Sequence, residues 1–330
     1  MPRGPRLDAP GTLHHVMVRG IERRAIFRDD ADRADFVGRL AALAERGALQ
    51  IYAWVLLTNH AHLLVRTGIR PLARSMRSLL TGYAGAFNRR HRRAGHLFQN
   101  RYKSVVVEEE PYLLELVRYL HLNPLRAGVV PDLRALDRYP WSGHAALVGT
   151  LSYPWQATTE VLGRFAPTVR RARTVYRSFA AGGAAQGRRP ELQGGGLVRS
   201  LGGWVAVRNL QRGREQYVSD ERVLGSSEFV AQVHEELEAQ QRHRPRAPSL
   251  ERLVTAVGRH VGIPPAALRA GSRRRDVARA REGIAYLWLE VWGQSGRAIA
   301  EALGVRPQSI YRAAQKGRNE RHEWKGIDIR

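Results

Sequence analysis

The sequence predicts two folded parts: an α+β domain built on a ferredoxin-like antiparallel sheet, followed by an all-α domain that contains a helix-turn-helix. Three observations lead to this expectation. Apolar patterns near the N-terminus follow the order β-α-β-β-α-β, and a further helix comes after them. Residues 240–249 are polar and contain prolines, as domain linkers do. Two short helical patterns within residues 295–317 are separated by a glycine turn.

Four predicted strands build the sheet of the first domain. They are short apolar runs bounded by polar residues, at residues 12–18, 49–57, 60–67 and 102–109. Thr58 and Asn59 form a tight turn between the second and third strands, so these two strands are a hairpin.

Helical patterns alternate with these strands. Residues 32–47 and 71–93 carry apolar side chains at three-to-four spacing, which is typical of amphipathic helices. Another helix covers residues 112–123 and stops before Pro124, because proline lacks an N–H group. In this arrangement the helices lie on one face of the sheet, and we expect the other face to be free to bind a partner.

We divide the chain into three regions on this basis. The first domain covers residues 1–145, a mixed connecting region of unknown role covers 146–245, and the helical domain covers 246–330. Within the connecting region, the glycine-rich stretch 182–203 is interpreted as a surface loop.

The composition points to a polyanionic partner. The 330 residues include 54 Lys and Arg against 30 Asp and Glu, for a net charge of +24. Nucleic acid is favoured over a membrane, because no apolar run approaches the roughly 20 residues that span a bilayer. We therefore expect a cytoplasmic protein. The chain has no cysteine, which excludes disulfides, thiolate metal sites and cysteine nucleophiles.

Two histidines stand out within the third strand, in "LTNHAHLLVRT". His60 and His62 are two residues apart, so both side chains project from the same face of the strand and can share a ligand. The pair alone also fits two buried core histidines, and further residues must complete a metal site. Tyr119 and Asn123 are four residues apart and share one face of the helix 112–123.

Three blocks of sequence carry a resemblance to a known family. They are "NHAHLL", "TGYAGAFNRRHRRAGHLFQNRYKS" and "LLELVRYLHLNPLRAGVV", and "LHHVMVRGIERRAIFRDD" near the N-terminus adds to them. In this order and spacing they resemble the single-tyrosine HUH transposases, specifically the REP-associated tyrosine transposases of bacteria. The resemblance covers about the first 145 residues.

The resemblance implies a role for each candidate residue and an HUH nuclease fold for the sheet. His60 and His62 match the histidine pair of the HUH motif, Tyr119 matches the nucleophile, and Asn123 matches a third, amide-bearing metal ligand. The family cuts single-stranded DNA at or beside hairpins, forms a 5′-phosphotyrosine link and frees a 3′-hydroxyl. Relatives act as monomers or as homodimers.

The chemistry of these side chains agrees with those roles. A phenol with a pKa near 10 is a weak nucleophile at neutral pH, and a divalent cation can draw charge from the phosphate that it attacks. Two imidazoles and one amide oxygen, with open positions for phosphate and water, suit Mg²⁺ or Mn²⁺. We expect Mg²⁺.

Basic residues on either side of the loop after the second amphipathic helix are the candidates for contacting the DNA strand. Charges that follow a phosphate backbone, with Phe87, Phe98 and Tyr102 available to stack bases, suit single-stranded or hairpin DNA. The same stretch also fits a solvated helix end with buried aromatics. The candidate DNA-binding residues are Arg89, Arg90, Arg92, Arg93, Arg101 and Lys103.

The C-terminal domain is a candidate for binding duplex DNA. Ala300, Gly304 and Ile310 have the spacing of a helix-turn-helix, and Pro307 suits the first turn of its second helix. That helix would present Arg306, Gln308, Ser309 and Arg312 to the major groove. Residues 249–317 are similar to the DNA-binding domain of the bacterial chromosomal replication initiator. They have "RPQSI" where the initiator has "DHTT", so its base preference is not transferred.

Two other functions remain open on the sequence. The first is a non-catalytic DNA-binding regulator derived from a transposase. The second is a plasmid relaxase or replication nuclease, because these enzymes share the histidine pair.

Overall fold

The computed structural model of the chain describes residues 7–68, 70–187, 189, 192, 220, 222–243, 247–270, 272, 274–324 and 326–327. The chain forms two compact units, Met1–Arg242 and His243–Arg330. The division falls inside the stretch 240–249, where the sequence predicts a linker. Most of the predicted glycine-rich loop 182–203 lies outside the described residues.

The first unit is built on a five-stranded sheet. Its strands are β1 (Leu13–Arg19), β2 (Leu49–Leu57), β3 (His60–Thr67), β4 (Lys103–Val107) and β5 (Val223–Leu224). They lie side by side in the order β2-β3-β1-β4-β5, and all neighbours are antiparallel except β4 and β5. The first four strands have the ferredoxin-like order, which confirms the predicted fold class.

Helices connect the strands as the sequence predicts. Helix α1 (Asp30–Glu45) joins β1 to β2, and helix α2 (Leu72–Arg90) joins β3 to β4. The carboxylate of Asp29 caps α1 by accepting the backbone N–H of Asp32. Helix α3 (Glu109–His121) follows β4, and α4 (Asn123–Arg126) begins directly after Leu122, with Pro124 in its first turn.

Both faces of the sheet are covered, so the predicted free face is wrong. Helices α1 and α2 pack on one face through residues such as Phe36 and Met76, together with Val16 of β1. The opposite face packs against α3, through residues such as Leu116 and Leu120. Sequence periodicity shows that α3 has an apolar side but does not show which face of the sheet it covers.

Further helices extend the core on the α3 side. They are α5 (Leu133–Leu136), α6 (His144–Val148), α7 (Thr158–Gly163) and α8 (Val169–Ala184). Leu147, Val161 and Tyr176 from these helices share one buried cluster with α3. Beyond β5, helix α9 (Ser227–His243) contributes Val230 and Val233 to a small cluster with Val106 of β4. That residues 146–245 form a connecting region separate from the first domain stays a prediction.

The second unit is helical, as predicted. It contains α10 (Leu250–Val261), α11 (Pro265–Arg269), α12 (Arg275–Tyr286), a π-helical turn (Leu287–Val291), α13 (Gly296–Ala302) and α14 (Pro307–Asn319). Leu253, Ile284 and Ile310 lie in its core. Helices α12 and α14 approach closely at Gly317, where a Cβ atom would lie 2.2 Å from the carbonyl oxygen of Glu282. Among the described residues, no helix is long and apolar enough to cross a membrane.

Candidate nuclease site

The two histidines of β3 project from the sheet face that α3 covers. In the sheet register His60 lies opposite Arg19 of β1, and His62 lies opposite Met17. The centroids of the two imidazole rings are 5.2 Å apart. His62 is buried and His60 is partly buried, while Arg19 is exposed beside them. The structure therefore brings the pair together at the start of β3, next to an exposed cation.

A third histidine, His15 of β1, joins this pair. Its Nε2 atom lies 3.0 Å from Nδ1 of His62, within hydrogen-bond distance, and the two rings are stacked with centroids 5.3 Å apart. His15 is fully buried. His15 is not among the residues that the sequence motifs mark. The signal that could have found it is the alternation along β1, which places His15 on the same side as Leu13 and Met17.

Tyr119 of α3 reaches the same cluster from above the sheet. Its ring meets the His15 ring edge-on, with centroids 6.4 Å apart at an interplanar angle of 73°. The guanidinium carbon of Arg126 lies 5.2 Å from the centroid of the Tyr119 ring. Tyr119 is only 4% exposed and belongs to the core on this side of the sheet. The contacts therefore run from His60 through His62 and His15 to Tyr119.

Asn123 is tied to the end of α3 by its amide nitrogen. Its Nδ2 atom donates to the carbonyl oxygens of Tyr119 and Leu120, at 2.9 and 3.1 Å. The amide nitrogen has no lone pair to offer a cation, so Oδ1 is the atom of this side chain that can act as a ligand.

Hydrogen bonds also orient both β3 histidines. The Nδ2 atom of Asn59 donates to the carbonyl of Arg23, so its Oδ1 is the atom that lies 2.6 Å from Nδ1 of His60. An amide oxygen only accepts, and Nδ1 of His60 must therefore carry the proton. The Nε2 atom of His60 is then left with a lone pair.

Burial keeps both imidazoles neutral. Desolvation, with a smaller contribution from Arg19, lowers the pKa of His60 to about 4. Desolvation also lowers the pKa of His62 far below its usual range, and the neighbouring His15 and His60 add to the effect. Neutral imidazole is the form that binds a metal, so this environment suits cation binding at neutral pH.

The donor set fits a hard divalent cation. His60, His62 and Asn123 each use one polar atom in an internal hydrogen bond. His60 and Asn123 have one further atom with a lone pair, and so does His62 when its proton is on Nδ1. A set of two imidazoles and an amide oxygen leaves positions for water and phosphate, as Mg²⁺ and Mn²⁺ require.

A second cluster with metal-binding side chains is held together by an arginine. Asp29, Asp32 and His91 are close enough to share an ion. The guanidinium of Arg90 lies among them, 2.6 Å from Asp29 and 2.7 Å from Asp32, and it lowers the pKa of Asp29 to about 2 through these hydrogen bonds. Because Arg90 already supplies the positive charge that balances these carboxylates, we interpret the cluster as an ion-pair network. It joins the start of α1 to the end of α2.

The predicted DNA-binding residues near α2 differ in their surroundings. Arg89, Arg92, Arg101 and Lys103 are exposed. Arg90 belongs to the ion-pair network, and the guanidinium carbon of Arg93 lies 5.8 Å from the centroid of the Phe87 ring. Phe87 is buried, and Phe98 and Tyr102 are partly buried. Phe87 is therefore a core residue and does not offer a face to bases.

The predicted residues of the C-terminal unit lie at the start of α14. Arg306, Gln308, Ser309 and Arg312 are all exposed, whereas Ile310 between them is buried. Helices α13 and α14 are joined by a short turn in which Gly304 has φ +61°, a value that favours glycine. The four polar side chains therefore share an accessible surface.

Comparison with known proteins supports a DNA-processing class for the N-terminal segment. Residues 11–123, about a third of the chain, match the model of the family described as IS200-like transposases. This match includes the histidine pair, Tyr119 and Asn123. The segment is therefore transposase-like, which confirms the resemblance for this part of the chain.

A solved structure of a REP-associated tyrosine transposase bound to a REP hairpin is also similar to the chain. The identity is 18%, the TM-score is 0.39, and the match covers 47% of this chain and 90% of that chain. A similarity of this size supports no argument on function. No curated protein matches the chain.

Proposed function

We propose that the protein is a metal-dependent endonuclease and strand transferase for single-stranded DNA at hairpins or repeats, acting through a 5′-phosphotyrosine intermediate. The observation that carries the proposal is the hydrogen bonding of His60, His62 and Asn123. Each of the three is oriented by its own internal partner; His60 and Asn123 keep one lone-pair atom for a cation, and His62 keeps one at Nε2 when its proton is on Nδ1. Oriented ligands of this kind are the usual preparation for a metal site.

In this proposal Tyr119 is the nucleophile. Its phenol oxygen forms a bond to phosphorus, the bond from phosphorus to the 3′-oxygen breaks, and the phenol proton is lost as the 3′-hydroxyl forms. A cation held by His60, His62 and Asn123 would draw charge from the phosphate oxygens. Arg126, over the Tyr119 ring, keeps the ring in place beside His15. Attack by another 3′-hydroxyl reverses the step and joins strands.

The charge of the protein supports DNA as the substrate. Arg19 is exposed next to His60, and Arg89, Arg92, Arg101 and Lys103 are exposed at and beyond the end of α2. Exposed cations in such numbers neutralise phosphates and make binding dependent on salt. The second unit, with Arg306, Gln308, Ser309 and Arg312 exposed on α14, would bind duplex DNA.

The experiment that tests this function uses a labelled hairpin oligonucleotide with single-stranded flanks taken from the DNA around the gene. We expect Mg²⁺-dependent cleavage and a protein–DNA adduct that resists denaturation. Tyr119→Phe should abolish both, because phenylalanine keeps the packing of the buried ring and removes only the hydroxyl. Tyr112→Phe on the same helix is the matched control and should cleave normally.

A second function, that of a non-catalytic DNA-binding regulator, is favoured by the burial of Tyr119, which is 4% exposed. A regulator would bind the same hairpin without any adduct, with or without Mg²⁺. The absence of cleavage on bound DNA would therefore replace the proposed function with this one.

A further inference from the structure

We propose that His15 is a positioning residue for the candidate cation site: it accepts a hydrogen bond from Nδ1 of His62 and so directs Nε2 of His62 to the cation. The proposal rests on the proposed function, because it takes His62 to be a ligand. It adds a residue that lies on a different strand, 47 positions away in the chain.

The sheet holds His15 rigidly in this place. Strand β1 lies between β3 and β4, so it is hydrogen-bonded on both sides. His15 pairs with Leu64 of β3, while His62 pairs with Met17, and the two histidines are therefore diagonal neighbours on one face. Their rings are nearly parallel, with an interplanar angle of 29°. The fully buried His15 has no room to leave this position without opening the core.

The number of protons available decides which histidine donates in the hydrogen bond between His15 and His62. Only one proton can lie between Nε2 of His15 and Nδ1 of His62 when both rings are neutral. If this proton belongs to His15, then His62 carries its own proton on Nε2 and cannot bind a cation there. If the proton belongs to His62, its Nε2 has a lone pair. Cation binding therefore requires the form of His15 that accepts at Nε2.

The two ligands of β3 are then oriented in the same manner. Nδ1 of His60 donates to the amide oxygen of Asn59, and Nδ1 of His62 donates to His15. Metal-binding histidines typically donate their second N–H group to an acceptor of this kind, which fixes the tautomer and the ring. Asn59 is the neighbour of His60 in the chain, whereas His15 is brought to His62 by the pairing of β1 with β3.

The same side chain also meets the candidate nucleophile. The ring of His15 lies edge-on to the ring of Tyr119. A change at His15 could therefore lower the cleavage rate through Tyr119 alone. Cation affinity, measured without DNA, separates the two effects.

The test is a titration of the full chain with Mn²⁺, in which free Mn²⁺ is followed by electron paramagnetic resonance. We expect His15→Leu to weaken the affinity about 10- to 100-fold relative to the wild type, as is usual for residues that orient a ligand. His15→Gln should restore part of the affinity, because its amide oxygen can accept from His62. His14→Leu is the matched control: His14 is equally buried on the same strand but faces the other side of the sheet, so its affinity should be unchanged.

The possible results are distinct. If folded His15→Leu binds Mn²⁺ as the wild type does while His60→Ala does not, His15 has no positioning role and the cation site stands. If His15→Leu does not fold, wild-type affinity in His15→Gln supports the role of the acceptor, and affinity as low as in His60→Ala contradicts it. If the wild type and His60→Ala bind Mn²⁺ alike, the cation site itself fails, and this proposal fails with it. Equal losses in His14→Leu and His15→Leu would also overturn the proposal, since the effect would then come from the strand.

Discussion

Arg126 holds Tyr119 at two points. Its guanidinium carbon lies 5.2 Å from the centroid of the tyrosine ring, and its Nη1 atom donates to the backbone carbonyl of the same residue at 3.1 Å. The Nη2 atom donates to the carbonyl of Gly183 in α8, at 3.3 Å. One side chain therefore links the candidate nucleophile to a helix that lies beyond the segment matching the transposase family.

This arrangement predicts that Arg126 controls cleavage more than binding. We expect Arg126→Leu to lower the rate of hairpin cleavage by about 10- to 100-fold, because small misplacements of a reacting group are costly. Arg126→Lys should restore little, since an ammonium group cannot make the two-sided contact of the guanidinium. The rate is measured by single-turnover cleavage of a labelled hairpin. Arg134→Leu, a change at an exposed arginine of α5, is the control, and a wild-type rate in Arg126→Leu would disprove the role.

His14 predicts a dependence of stability on pH. Burial lowers its pKa from 6.5 to about 3, and neither ring nitrogen has a hydrogen-bond partner among the described residues. The unfolded chain takes up a proton on His14 below pH 6.5, while the folded chain does not. Its contribution to stability is therefore present above pH 6.5 and is lost as the pH falls toward 3.

The measurement compares the wild type with His14→Leu by chemical denaturation at pH 7.5 and pH 5. Between these values we expect the free energy of unfolding of the wild type to fall by about 2 kcal/mol more than that of the variant. Equal pH dependence in the two proteins would show that His14 is not buried in its neutral form.

Arg89 and Arg90 are neighbours with different expected roles. Arg90 pairs with the buried Asp32, so Arg90→Gln should lower the free energy of unfolding, while His91 remains as a second partner of that carboxylate. Arg89 is exposed and has no such partner within the part of the chain that the structure describes, so Arg89→Gln should leave stability within about 0.5 kcal/mol of the wild type. Instead it should weaken hairpin binding and reduce the slope of log affinity against log salt by about 1. Denaturation and salt titrations test both, and the reverse pattern would contradict the ion-pair network.

The two units should separate in function. Gln308→Ala and Arg312→Ala change exposed side chains of α14. We expect them to weaken binding to a duplex that contains the cognate repeat by about 1–3 kcal/mol each, as is usual for lost base contacts. Cleavage of an isolated hairpin should be unchanged. Duplex binding by gel shift and hairpin cleavage are measured on the same preparations, and loss of cleavage would show that α14 serves the nuclease site.

The strands and helices of the sheet domain could be predicted from the sequence because their apolar patterns are local. The alternation of side chains around His60 predicts strand β3, and the three-to-four spacing of apolar residues around Tyr119 predicts helix α3. The DNA-processing class came from the order of several motifs. The packing of α3 on the second face of the sheet could not be predicted, because the apolar side of a helix packs equally well on either face.

The hydrogen-bond partners of the candidate site residues could not be predicted from the sequence either. His15 approaches His62 only through the pairing of β1 with β3, and Arg90 finds Asp29 and Asp32 across two helices. An aromatic side chain such as Phe87 can either stack on bases or pack in a core. Its burial in the structure shows that it packs in the core. Contacts of this type depend on tertiary packing, which no local pattern encodes.

Mass spectrometry of the trapped adduct shows whether Tyr119 is the residue that forms the bond to DNA. Trypsin cuts after Arg118 and Arg126, so Tyr119 falls in the peptide 119–126 and Tyr112 in the peptide 104–118. After reaction with a hairpin in Mg²⁺ and digestion of the DNA, we expect a nucleotide mass on residues 119–126. A nucleotide mass on the Tyr112 peptide instead, or cleaved DNA with no modified peptide, would contradict it.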